Sequence, residues 1–100
     1  SDAADAAQQC ITFMTDMVVP LSTPDSGLLQ QLAAGADQAC AAAVALLGQE
    51  SAAGQAIAGQ RAVLTAAVED VASNDPVAVS LAYAASTDAW TERMNSLLPG

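Results

Sequence analysis

The chain has 100 residues, enough for one domain, and hydrophobic residues make up 53% of it, which argues against disorder. Its formal charge is −9, with two arginines and no lysine, so phosphate backbones and anionic membrane surfaces are poor partners. No run approaches the roughly 18 apolar residues of a membrane span, and no basic n-region leads into an apolar h-region.

The apolar content is small: the sequence holds 25 alanines and only three aromatic residues. Alanine is the strongest helix former and is poor in strands, so the composition predicts an all-α protein. An Ala, Val and Leu core lets helices approach closely. It also contributes less per residue, at about 25 cal/mol per Å² buried.

Breakers divide the chain at VVPLSTPDSG (18–27), GQES (48–51), SNDP (73–76) and PG (99–100). The first helix is predicted near 3–18. Ala6, Cys10, Phe13 and Met17 share one face, and Ile11, Met14 and Val18 widen it. The second is predicted near 25–47, capped by Thr23 or Ser26, with Pro24 in its first turn. Leu29, Ala33, Ala36, Cys40 and Leu47 form one stripe there; Leu28, Leu32, Ala39 and Leu46 form a second beside it. Gly48 suits the position after its end.

The third helix is predicted near 51–73, capped by Ser51, with Ile57, Leu64, Val68 and Val71 facing inward. Gly54 and Gly59 weaken its start by up to about 1 kcal/mol each relative to Ala, while offering room for close packing. The fourth is predicted near 76–97, with Asp75 as N-cap and Pro76 at its first position. Its Val79, Tyr83, Trp90, Met94 and Leu97 fall within about 60° of one another. Short turns between the four helices predict an up-down-up-down antiparallel bundle.

Cys10 and Cys40 admit one intramolecular pairing, useful to a small, weakly cored domain in an oxidising compartment. The bond would join the first and second helices and, if formed, would place the protein outside the cytoplasm; two buried free thiols are the alternative. The register of the bond is not trivial. With Cys10 about eight residues before one helix end and Cys40 about fourteen after the next start, the axial mismatch is roughly 9 Å. That is too far for a bond unless the second helix begins near Leu28–Leu32 or the 18–27 loop climbs beside the first.

Chemistry is sparse. Hydrolytic triads need an imidazole or equivalent base, and the chain has neither His nor Lys. Asp88 and Glu92 share a helix face as i and i+4, but a solvated face explains them without a site. GQAIAG (54–59) follows no strand and matches no phosphate loop. Met14, Met17 and Met94 read as core fillers rather than soft-metal ligands. The chain is therefore expected to be no enzyme and to need neither cofactor nor metal.

Arg61 and Arg93 carry the most information. Arg61 lies about 40° from Ile57, beside an apolar stripe, and Arg93 lies about 60–80° from the centre of the Val79–Trp90–Met94 stripe. A snorkelling stem or an ion pair with Asp16, Asp37 or Asp88 accounts for such a cation. A cationic rim on an apolar cavity accounts for it too. In that case Arg61, Arg93, Tyr83, Trp90 and Met94 would hold a fatty acid or similar amphiphile.

The expected function is a secreted or otherwise extracytoplasmic binding protein for a small apolar or amphiphilic ligand or a partner protein. Two alternatives stand beside it. One is an acidic inhibitor or immunity-type protein that blocks a basic site on a toxin or enzyme through Asp16, Asp25, Asp37, Asp70, Asp75, Asp88 and Glu92. The other is a structural subunit of a surface assembly.

Overall fold

The computed structural model describes residues 1–98, apart from the side chain of Ser26. The PG stop at 99–100 and capping by the Ser26 side chain lie outside the described residues. Five helices account for the chain: α1 (Asp2–Thr15), α2 (Val18–Ser22), α3 (Ser26–Leu47), α4 (Ala52–Asp70) and α5 (Pro76–Leu97). Among the described residues there is no strand.

The predicted first helix is broken. It ends at Thr15, and the following segment, expected as loop, re-forms as α2 through Pro20. Pro20 sits at the third position of α2, inside the first turn, where its missing N–H leaves no helical bond unmade. The long second helix starts where expected, but its cap is Asp25, whose carboxylate accepts from the Leu28 N–H at 3.2 Å. Pro24 thus precedes the cap rather than entering the first turn. Ser51 caps α4 as expected, accepting from the Gly54 N–H at 2.9 Å. That helix stops at Asp70, three residues early, because the 71–74 segment tightens into turns. Gly48 closes α3 with φ of 95°, a conformation that disfavours any side chain.

α1 packs on α3, α3 on α4, α4 on α5, and α5 meets both α2 and α1. The core runs through all of them. It includes Cys10, Met14, Leu21, Leu29, Ile57, Leu64, Tyr83, Trp90 and Met94. Total exposed area is 5445 Å², near the roughly 5200 Å² expected for a compact monomer of this mass. The single chain is therefore as compact as a monomer of its mass.

The Cys10–Cys40 bond is present and joins α1 to α3, since α2 intervenes in the count of helices. From Cys10 to Ser22 the chain covers about 18 Å of nearly continuous helix, and from Ser26 to Cys40 about 21 Å. α2 itself packs on α5 rather than along α3, and Cys10 and Cys40 still come level, their α carbons 4.5 Å apart, with α3 starting at Ser26.

Two inward assignments fail. Phe13 is 41% exposed, and Leu28, Leu32 and Leu46 are likewise on the outside. Each helix needs only a narrow stripe to meet its neighbours when the contact residues are Ala7, Ala36, Cys40 and Ala43. Close approach on small residues leaves the flanking large ones outside the seam.

Candidate functional site

The last helix places Tyr83, Thr87, Trp90 and Met94 on its buried side at 4-3-4 spacing. Their polar handles are all used across helices. The Tyr83 hydroxyl donates to the Met14 carbonyl at 2.6 Å, tying α5 to α1. Burial, above all, pushes the Tyr83 phenol above its ordinary value, against the opposing influence of Thr87 and Gln60. The Trp90 indole N–H donates to the Ala56 carbonyl at 3.0 Å, and the buried Gln60 amide donates to Thr87 Oγ1 at 2.9 Å, both pinning α5 to α4. No buried side-chain nitrogen or oxygen among the described residues lacks a partner.

The five residues singled out in the sequence do not converge. Met94 is wholly buried. Arg61 points from α4 toward α3, where its Nε and Nη2 donate to the two Asp37 carboxylate oxygens at 2.7 and 3.0 Å. This fork holds the Asp37 carboxyl below its ordinary value, chiefly through the hydrogen bonds and also through the guanidinium charge, while partial burial opposes it. Arg93 is exposed on α5 and has no carboxylate within 4.0 Å among the described residues.

Tyr83, Trp90 and Arg93 do border a common feature, the groove between α4 and α5. One reach of about 530 Å³ runs from Asp70 and Asn74 past Ala78, Ala82 and Tyr83. A second of about 520 Å³ runs past Gln55, Gly59, Ala89 and Trp90 to Arg93. Val63 borders both. Alanines, Val63, Val79 and the two aromatic rings supply its apolar lining, Asp70, Asn74, Gln55, Gln60 and Arg93 its polar edges, and the groove is open to solvent.

A second surface was not anticipated as a site. Phe13, Val19, Leu28, Leu32 and Leu46 are exposed where α1 and α2 border α3. The Phe13 ring lies over Gly35, its Cε1 3.6 Å from where a β-carbon there would stand. Val19, Leu28 and Leu32 also border a cleft of about 230 Å³ that Asp25 closes at one side. The signal was in the sequence as the second stripe of the 25–47 helix. That stripe reads equally well as core, because periodicity does not say which of two apolar faces meets a neighbour.

Among the described residues no three acidic or cysteine side chains gather as a metal site, and no helix is long and apolar enough to cross a membrane. The chain matches no protein-family model, no curated protein and no solved structure.

Proposed function

We propose that the protein is a non-catalytic, extracytoplasmic binding module that holds a cationic partner protein on its outer helical faces. The observation that carries this reading is the contrast between interior and exterior. Buried polar side chains are satisfied internally, while large apolar side chains and unpaired carboxylates share the surface. Contiguous exposed apolar side chains rimmed by polar groups are the mark of an interaction face. A chain with charge −9 favours a partner of opposite sign. The disulfide supports an oxidising compartment.

The four long helices are read as an up-down-up-down antiparallel bundle. Cross-helix partners whose numbers run in opposite senses support this: Gln8 with Asn95 and Met14 with Tyr83, and Ala56 with Trp90 and Gln60 with Thr87. An inhibitor or immunity-type role is the sharper form of the same reading. Its contacts would come from Asp16, Asp25, Asp70, Asp75, Asp88 and Glu92; Asp37 is already engaged by Arg61.

A carrier for a small amphiphile is the second reading, favoured by Arg93 beside Trp90 and Val63 in the α4–α5 groove. Ligand sites normally enclose most of their ligand, and this groove does not, so the protein partner is preferred. Affinity capture on the oxidised protein from extracytoplasmic fluid, followed by native mass spectrometry, separates the two. The expected result is a stoichiometric complex with a basic protein. Isolation of the chain carrying only a lipid-sized mass would overturn it.

A further inference from the structure

We infer that the seam where α1 and α2 border α3 is the docking face, and that its occupant is a cationic amphipathic helix of the partner protein. This rests on the reading of a cationic partner and assigns it a place and a shape. On α3, Leu28, Leu32, Gly35, Ala39 and Leu46 fall within about 60° at 100° per residue. From Leu28 to Leu46 this line is about 27 Å long, or five helical turns. Exposure is substantial along it: 54% at Leu28, 38% at Leu32 and 57% at Leu46, with Phe13 standing over Gly35 at its middle and Val19 at one end. A helix laid along it would present apolar anchors at i, i+4 and i+7 to this line.

Charge selects the occupant. Asp16 lies within about 60° of Phe13 around α1 and Asp5 about 80° away on the same side, so two carboxylates border the α1 rim of the seam. Asp25 closes the Val19–Leu28 end. Residues 1–60 contain no Lys or Arg, and the first arginine of the chain, Arg61, is forked onto Asp37 on the side of α3 that faces α4. Among the described residues no cation lies within 4.0 Å of Asp5, Asp16 or Asp25. A second copy would bring the same acids into contact with one another, and an anionic membrane would be repelled. A helix with leucines on one face and lysines along its edge satisfies both the strip and the rim.

The test uses an 18-residue synthetic helix carrying leucines at i, i+4, i+7 and i+11 flanked by lysines, against the isotopically labelled, oxidised protein. Two control peptides replace every lysine by glutamate or scramble the leucine spacing. The expected result is amide shifts confined to Phe13, Val19, Leu28, Leu32, Gly35 and Leu46. Both control peptides should bind more weakly by about tenfold or more. The Leu32→Gln/Leu46→Gln variant should lose about tenfold in affinity while keeping its helical circular dichroism. Both leucines are exposed, so the fold does not depend on them.

Shifts along Val63, Ala82 and Ala89 instead would overturn the docking face while leaving the cationic-partner reading intact. Equal binding of the lysine and glutamate peptides would overturn both. A dimer in sedimentation that the double variant abolishes would assign the face to a second copy. Binding to zwitterionic vesicles that the variant abolishes would assign it to lipid. Either would overturn the inference.

Discussion

Gly54 and Gly59 stand five residues apart on α4, and the structure predicts that replacing each by Ala moves stability in opposite directions. On helix propensity alone both substitutions stabilise, by about 0.5–1 kcal/mol each. At Gly59 a β-carbon meets nothing within 4 Å, so the gain is realised in full. At Gly54 the β-carbon would overlap the Gly48 carbonyl oxygen, reach 3.0 Å from the Gly48 carbonyl carbon and 3.1 Å from Ser51 Oγ. Backbone atoms cannot swing away as a side chain can, so the 48–51 turn must move. That turn is held by the Ser51 hydroxyl donating to Gly48 O at 2.8 Å and by the Ser51 cap on the Gly54 N–H at 2.9 Å. Losing the cap costs about 1 kcal/mol and the second hydrogen bond about 0.5–1.5. Set against the propensity gain, Gly54→Ala should destabilise by about 0.5–2 kcal/mol, lowering Tm by roughly 2–16 °C in a domain of this size. Gly59→Ala should raise Tm by a few degrees. Thermal unfolding of the two oxidised variants by circular dichroism reads both signs. A Gly54→Ala variant as stable as Gly59→Ala would refute the close approach of α4 to the 48–51 turn.

Tyr83→Phe removes the bond to the Met14 carbonyl and should cost about 1 kcal/mol near neutral pH by urea unfolding. Because folding raises the Tyr83 pKa, its contribution is fully present below about pH 10 and fades as pH rises through the folded value; Tyr83→Phe should flatten that alkaline loss. Cys10→Ala/Cys40→Ala opens a crosslink of sequence separation 30 and should lose about 3.5–4 kcal/mol in the chain-entropy model, measured as a fall in the urea midpoint. Asp37→Asn should cost under about 1 kcal/mol, since the pair is partly solvated. Folding lowers the Asp37 pKa, so the gap between wild type and Asp37→Asn should be constant above about pH 4 and shrink as pH falls below it. A gap that widens on acidification would contradict the pairing.

The helices were legible in the sequence because alanine content, caps and breakers agreed with one another. Ser51, Gly48 and Pro76 stand where the reading put them. α2 was not legible: two prolines and a glycine in VVPLSTPDSG read as loop, yet Pro20 falls in a first turn, where proline is harmless. The sequence offers Asp16, Asp37 and Asp88 as partners for an arginine, and only the packing of α3 on α4 selects Asp37 for Arg61. Phe13 was placed inward because an aromatic at core spacing usually is. What the sequence does not carry is how closely two helices approach, and contacts made by Ala36 and Cys40 left no room for the ring between them.

The proposed partner is held through surface charge and exposed leucines rather than as an enclosed ligand. This is tested most directly by the association rate with the captured protein at about 20 mM and 500 mM salt, where screening shortens the reach of charge to a few ångströms. The association rate should fall at least about tenfold, with the dissociation rate changing much less. An association rate that holds constant across that range would contradict it.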